Sequence, residues 1–315
     1  MKSTSTTNSW RLAVLAGGDS AEREISLRSG AAVAEALAEA GHEAIAVDPA
    51  GRDLADIDWS AIDACFIALH GGAGEDGRVQ AQLDRLGVPY TGSGPAACQL
   101  AMSKSASKER FVECRVPTPR WDVVETDVAI ASARARVERL GYPLVIKPDA
   151  QGSSLGVSIV DGPEGIAGAI ATAGRFDTLA IAEPQVLGRE FTIAVFDERA
   201  LPIVEIVTPE PVFSYEAKYA SSLTEYRFDF ELDTRKRVEL LHAAVAATQA
   251  LGTRGLARVD IMIGHDGRVW VLEVNTVPGM TPRSLAPLAA QRAGLPMAML
   301  CEELVRQCLN TASVA

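Results

Sequence analysis

The hydrophobic pattern of the first hundred residues switches regularly between two periods. A short apolar run at 12–16 leads into Gly17-Gly18-Asp19-Ser20, then into an Ala- and Leu-rich stretch of helical spacing that ends near Gly41. Apolar runs at 44–47 and 65–69 predict further strands, and 79–86 predicts a helix. Strands that alternate with helices imply a parallel sheet, with ligands beyond the strand C-termini. A second segment, 97–187, carries a predicted helix at 101–113, a connection marked by Val116-Pro117-Thr118-Pro119, and strands at 144–147 and 157–160. The third begins with a strand at 191–196, passes a loop around 209–222 and closes with a hairpin.

The hairpin is the clearest single pattern. Residues 257–263 alternate polar and apolar, Gly264-His265-Asp266-Gly267 turns, and 268–275 return. An even turn sets 263 opposite 268 and 258 opposite 273. Arg258, Asp260, Glu273 and Asn275 then share one face. Val259, Ile261, Ile263, Trp270, Leu272 and Val274 share the other, the expected core side. Side-chain oxygens of Asp, Glu and Asn suit a hard cation such as Mg2+. A solvated face with an Arg–Glu pair is the alternative.

Composition narrows the classes. The chain has 315 residues, 48% hydrophobic and 23% charged, with a formal net charge of −11. That is too apolar for disorder and large enough for two or three domains. The acidity, without a long basic run, argues against general nucleic-acid binding. Five cysteines, none in a C-x-x-C pair, fit reduced thiols in a cytoplasm. The Ser/Thr-rich stretch at 1–10 lacks the apolar run of a signal peptide, and no run of about 18 apolar residues predicts a membrane span.

Two glycine motifs are weaker than they look. Gly72-Ala73-Gly74-Glu75-Asp76-Gly77 matches a dinucleotide fingerprint, but Glu75 and Asp76 would face a pyrophosphate with like charge, so a tight turn is the better reading. Gly152-Ser153-Ser154-Leu155-Gly156 matches a hydrolase nucleophile elbow, yet a strand follows it where an elbow needs a helix. A serine hydrolase using Ser154 is disfavoured on that ground. A Gly/Ser connection between strands, just after Lys147, reads better as a flap whose N–H groups cover phosphates, or as a plain hairpin connection. No P-loop or H-E-x-x-H motif is present.

Several charged residues sit where chemistry could use them. Lys147 ends an apolar strand, which suits a point charge aimed at phosphate. Lys104 lies on the preceding helix and Lys218 in the later loop; each alone reads equally as a surface residue. Glu22 is a helix-start carboxylate, either a capping-box acid or a receptor for a substrate ammonium. His70 ends its strand, where it can meet a substrate or be held structurally.

Together these motifs resemble the D-alanine–D-alanine ligase family of ATP-grasp enzymes. The resemblance rests on Gly17-Gly18-Asp19-Ser20-Ala21-Glu22-Arg23-Glu24, Ala68-Leu69-His70-Gly71-Gly72 and Pro89-Tyr90-Thr91-Gly92-Ser93-Gly94. It continues through Val145-Ile146-Lys147-Pro148, Gly152-Ser153-Ser154-Leu155-Gly156 and Tyr215-Glu216-Ala217-Lys218-Tyr219. It ends with Arg258-Val259-Asp260 and Glu273-Val274-Asn275-Thr276-Val277-Pro278-Gly279-Met280-Thr281. It spans residues 11 to about 309 in order.

The resemblance implies a mixed α/β, ATP-grasp fold. Its parts would be an N-terminal Rossmann-like parallel βαβ domain at 1–96, a central ATP-grasp domain at 97–187, and a C-terminal ATP-grasp domain with the metal-binding hairpin at 188–315. It implies ATP-dependent joining of two D-alanines through an acylphosphate, for peptidoglycan precursor synthesis. Lys104, Lys147 and Lys218 would hold ATP phosphates, with Ser153 and Ser154 in the covering loop. Glu183, Val186 and Glu190 would line the adenine and ribose pocket. Asp260, Glu273 and Asn275 would ligate two Mg2+ ions, for which Mn2+ can stand in. Arg258 and the Gly279 N–H would stabilise the oxyanion. Glu22, tied through Ser153 to Tyr219, would receive the first ammonium, and His70, Ser284 and Leu285 would complete the substrate site.

The family also suggests a homodimer, while the composition points to a cytoplasmic protein that binds neither nucleic acid nor membrane. Tyr219 favours D-alanine as second substrate over D-lactate or D-serine. A nucleotide-binding protein without turnover is the alternative from another class. The sequence departs from the family at Pro184, where a lysine is usual, at Ser103, where an aspartate is common, at 226–230, and at Pro282-Arg283.

Overall fold

A computed structural model describes residues 9–127, 130–208 and 223–312. The described chain forms two compact units. The first takes the residues up to Pro95, with Arg254–Leu256 and the chain from Val277 onward; the second takes the remainder.

The first unit is built on a parallel three-stranded sheet, order β2-β1-β3, of Arg11–Leu15 (β1), Glu43–Val47 (β2) and Ala64–Ile67 (β3). Leu12 to Leu15 are wholly buried, as continuous apolar runs in parallel sheets require. Helix α1 (Arg23–Glu39) buries Ile25, Ser26, Ser29, Gly30, Val33, Ala36 and Leu37, a stripe of i, i+3 and i+4 spacing. At Gly30 a Cβ would lie 2.2 Å from Ala16 Cβ, so only glycine allows the helix this close. Leu15, Cys65, Ile67 and Leu69 pack with Val79 and Leu83 of α2 (Arg78–Leu86), and with Val277. Glu22 is the N-cap of α1, without a side-chain cap bond, so it is not the N3 acid of a capping box.

The predicted helix at 101–113 is two helices, α3 (Pro95–Met102) and α4 (Lys104–Glu113). Ser103 separates them: its extended backbone (φ −80°, ψ 110°) and its hydroxyl, which accepts the Ala106 N–H, make it the N-cap of α4.

The second unit holds two antiparallel sheets. One has order β4-β7-β5-β6, from Asp122–Glu125 (β4), Leu144–Pro148 (β5), Ser158–Val160 (β6) and Leu179–Pro184 (β7). It shares an apolar core with α5 (Ile130–Val137) and α6 (Ile166–Ala173). The other has order β11-β10-β8-β12-β13, with β9 (Arg199–Ala200) paired to β8. Its strands are Gly188–Phe196 (β8), Val204–Val207 (β10), Glu225–Arg227 (β11), Leu256–Gly264 (β12) and Val269–Asn275 (β13). Helix α7 (Thr234–Leu251) covers its apolar face through Leu240, Ala243, Ala244 and Ala247.

The hairpin β12–β13 corrects the predicted pairing. Gly264 N–H bonds to Arg268 O, so three residues, not an even number, make the turn. Ile263 therefore faces Val269, and Ile261 faces Val271. A bulge between Asp260 and Ile261 then shifts the register, so that Asp260 faces Glu273 and Arg258 faces Asn275. The odd turn reverses the expected facing and the bulge restores it. The four polar residues thus share a face, but Val269 and Val271 fill the core positions expected for Trp270 and Leu272. The first unit also contains α8 (Leu285–Arg292) and α9 (Met297–Ala312), and α9 packs on α1. No helix of the described residues is long and apolar enough to cross a membrane.

Candidate nucleotide and ligase site

One pocket within the second unit gathers side chains from both of its sheets. Lys104 opens α4; Val145, Lys147 and Pro148 come from β5; Gln151, Ser154, Leu155 and Val157 come from the connection to β6. Glu183 to Val186 close β7, Glu190 comes from β8, and Asp260, Met262, Leu272 and Glu273 come from the hairpin. Val145, Leu155, Val157, Met262 and Leu272 give apolar walls, while the lysines and carboxylates give a charged end. Apolar walls with a few placed polar groups suit a flat base bearing an anionic tail.

The charges interlock. Lys147 pairs with Glu183 Oε1, and Lys108, wholly buried, places its Nζ 2.8 Å from Glu183 Oε2. Lys104 Nζ donates to Gln151 O (2.7 Å) and lies 3.8 Å from Glu273 Oε2. Burial holds the Lys104 and Lys108 ammonium groups below their ordinary pKa, against the pull of Glu273 and Glu183 respectively. Burial opposes Lys147 too, but Glu183 and Glu273 outweigh it and raise its pKa. The Glu183 carboxyl goes the other way: burial would raise it, yet Lys108 and Lys147 bring it down to about 2. Glu183 and Lys147 are therefore both ionised at neutral pH.

Asp149 fixes the start of α4. Its carboxylate accepts the Ser103 hydroxyl (2.7 Å) and the Ser105 N–H (2.7 Å), and its carbonyl accepts the Lys104 N–H (3.1 Å). The following connection bends at Ser153 (φ 53°), Ser154 (φ 56°) and Gly156 (φ 73°). Two successive non-glycine residues in the left-handed region are uncommon and cluster where a loop meets a ligand. The connection joins antiparallel strands, so Ser154 is not on a nucleophile elbow. The Gly72 motif is likewise a turn: it forms a single 3-10 turn at Gly72–Gly74, with Gln80 Nε2 on Gly74 O.

On the hairpin, Arg258 grips Asp260 with two bonds, Nε to Oδ1 (3.0 Å) and Nη2 to Oδ2 (2.9 Å), and Thr192 Oγ1 donates to Oδ1 (2.6 Å). Among the described residues no group of three His, Cys, Asp or Glu side chains is placed to hold a metal ion. The hairpin offers two carboxylates in facing positions, Asp260 and Glu273, plus the Asn275 amide on the same face. This all-oxygen set fits a hard divalent cation.

The first unit holds the remaining expected residues. Ser20 Oγ donates to His70 O (2.5 Å) and accepts the Glu22 N–H (3.1 Å). Glu22 is buried, and a Cβ on Gly71 would sit 2.7 Å from its Oε2. His70 Nε2 lies 2.8 Å from Ser29 Oγ, which also accepts the Met280 N–H (3.2 Å). Ser284 is the N-cap residue of α8 without a side-chain cap bond, its Oγ accepts the Thr281 N–H (3.0 Å), and a Cβ on Gly279 would sit 2.8 Å from that Oγ. Leu285 begins that helix.

Of the expected residues, Lys104, Lys147, Ser154, Glu183, Val186, Glu190, Asp260 and Glu273 line this pocket. Ser153, Arg258 and Asn275 belong to the same elements without lining it. Lys218 and Tyr219 lie outside the described residues. Sequence reasoning missed Lys108 and Asp149. The available signal for Lys108 was its position one helical turn after Lys104.

Comparison with known proteins follows the same lines. The family model for the D-ala D-ala ligase C-terminus matches residues 112–306, and that for the D-ala D-ala ligase N-terminus matches 49–93. A D-alanine–D-alanine ligase of Pseudomonas entomophila is 44% identical over 90% of this chain and 89% of its own length. One of Pseudomonas putida is 43% identical over 96% and 94%. The crystal structure of the Bacillus anthracis D-alanine–D-alanine ligase superposes with a TM-score of 0.85 at 32% identity, covering 97% of this chain and 99% of that one. The same enzyme complexed with ATP gives 0.84 at 31% identity, over the same shares of the two chains. With a pocket of this chemistry on this fold, the chain belongs to the D-alanine–D-alanine ligase family, ATP-dependent ligases of the ATP-grasp fold.

Proposed function

We propose that this chain joins two D-alanine molecules into D-alanyl-D-alanine for peptidoglycan precursor synthesis, driven by ATP. A carboxylate oxygen of the first D-alanine attacks the γ-phosphorus; the bond to the β-phosphate oxygen breaks, leaving ADP and an acylphosphate. The free amine of the second D-alanine then attacks the carbonyl carbon and loses a proton, and the tetrahedral intermediate expels phosphate. Negative charge builds on phosphoryl oxygens in the first step and on the carbonyl oxygen in the second, so fixed positive groups carry most of the catalysis.

The observation that carries this reading is the pocket that holds Lys104, Lys147, Glu183 and the hairpin carboxylates together. Lys104 and Lys147, with Lys218, hold the phosphates, and Ser153 and Ser154 lie in the loop over them. Glu183, Val186 and Glu190 take adenine and ribose; Pro184 lacks an N–H but keeps its carbonyl as an acceptor. Asp260, Glu273 and Asn275 hold the Mg2+ ions, which supply charge neutralisation when bound. Arg258, held flat by Asp260, and the Gly279 N–H meet the oxyanion. Glu22 receives the first ammonium, Ser284 the second carboxylate, and His70 and Leu285 border the substrates. The chain works in the cytoplasm as a homodimer.

The assay is direct. Purified protein with ATP, Mg2+ and D-alanine should release phosphate and form the dipeptide in equal amounts. Arms with D-lactate and D-serine as second substrate should be slower. Absence of phosphate release with every D-amino and D-hydroxy acid would refute the reading.

A further inference from the structure

We infer that Lys108 is a positioning residue for the nucleotide pocket, acting through Glu183 on Lys147. The inference rests on the reading of this pocket as the ATP site. Lys108 does not line the pocket, whereas Glu183 and Lys147 do. It therefore cannot act by touching the nucleotide.

A buried ammonium is expensive unless every donor is met, and an apolar side chain of the same length would fill the space at lower cost. Lys108 Nζ donates to Thr118 Oγ1 (2.8 Å) and Pro119 O (3.3 Å), and forms an ion pair with Glu183 Oε2 at 2.8 Å. The Thr118 hydroxyl donates its own proton to Val271 O (2.9 Å), so its oxygen can only accept from the lysine. Val271 lies two residues before Glu273 on β13, and its N–H bonds to Pro117 O (2.8 Å). The ammonium is thereby pinned to the hairpin strand that carries Glu273. The same ammonium is ion-paired with Glu183 on β7, in the other sheet of the same unit.

Glu183 then has one ammonium on each oxygen, Lys108 on Oε2 and Lys147 on Oε1. Fixing Oε2 fixes the carboxylate plane, which turns Oε1 toward the pocket and gives the Lys147 chain a single favoured end point. Without Lys108 the carboxylate is free to rotate, and Lys147 loses the partner that orients it. A charge-assisted pair of this kind supplies direction as well as attraction.

The experiment compares Lys108→Met, Glu183→Gln and the double variant in the Mg2+-loaded enzyme. The readouts are ATP affinity by calorimetry, steady-state kinetics and Tm. Lys108→Met should raise the KM for ATP about tenfold while kcat at saturating ATP falls less than threefold. The double variant should bind ATP no more weakly than Glu183→Gln alone, because Lys108 works only through that carboxylate. A residue that merely fills the core would lower Tm and leave the KM for ATP unchanged, which would overturn the inference. Fold losses that multiply in the double variant would overturn it equally. Should Lys108→Met not fold, the comparison of the double variant with Glu183→Gln still decides. If Glu183→Gln and Lys147→Met leave ATP binding intact, the assignment of the pocket to ATP fails; if only Lys108→Met has no effect, the inference alone fails.

Discussion

Two carboxylates on one hairpin face serve different ends. Asp260 is engaged on both oxygens, by Arg258 and Thr192, and its first effect is to hold the guanidinium. Glu273 is half-exposed in the pocket and stands 3.8 Å from Lys104. Its charge therefore faces the pocket rather than the interior. Glu273→Gln should lower kcat by about 10²-fold or more, the scale at which loss of a metal-positioning group is felt. Tm should stay within a few degrees of wild type; near-normal turnover would count against this face as the cation site. At this scale the strand-end lysine Lys147 and the hairpin acids were legible because position alone suggested their use. Lys108 and Asp149 were not. A lysine on a polar helix looks the same in sequence whether it faces solvent or a buried glutamate, and only packing separates the two.

At the scale of elements, the sequence carried existence better than joints. Continuous apolar spacing from 101 to 113 reads as one helix, yet Ser103 stops it, because a serine can satisfy a new helix N-terminus as well as continue the old one. The joint matters, since it sets where Lys104 begins. Ser103→Ala removes both the N-cap bond to Ala106 and the hydroxyl donated to Asp149. Stability should fall by about 1–2 kcal/mol, as for other lost caps. The KM for ATP should rise several-fold as Lys104 loosens from Gln151 O. Denaturant unfolding and ATP titration read the two effects, and a stability loss with unchanged KM would separate the cap from the site. The hairpin teaches the same lesson about joints. Alternation found the polar face, but Trp270 and Leu272 were misplaced because an odd turn and a bulge each shift the parity, and neither is marked by alternation.

At the scale of the whole chain, local periodicity marks three segments, and each of the three sheets falls inside one of them. That the chain from Val277 packs with the first unit is a long-range matter that no window of sequence records. Charge shows a similar gap between total and place. A net charge of −11 says nothing of a pocket where three buried lysines surround Glu183 and Glu273. That cluster makes a prediction about acid stability. The Glu183 carboxyl titrates at about 2 in the folded chain, below its ordinary 4.5, because Lys108 and Lys147 outweigh burial. Between those values the unfolded chain binds the extra proton and the folded chain does not, so stability falls as pH falls. The contribution of Glu183 is thus complete above about 4.5 and lost progressively toward about 2. Protonation also leaves the ammonium groups of Lys104, Lys108 and Lys147 facing one another without their central counter-charge. Wild-type Tm should therefore drop more steeply from pH 5 to pH 3 than that of Glu183→Gln, which lacks the titrating group though it starts from a lower value. Saturating ATP with Mg2+, which brings its own negative charge to the same lysines, should flatten the wild-type profile. Parallel Tm profiles for the two proteins would show that Glu183 is not the group on which the acid stability of this pocket turns.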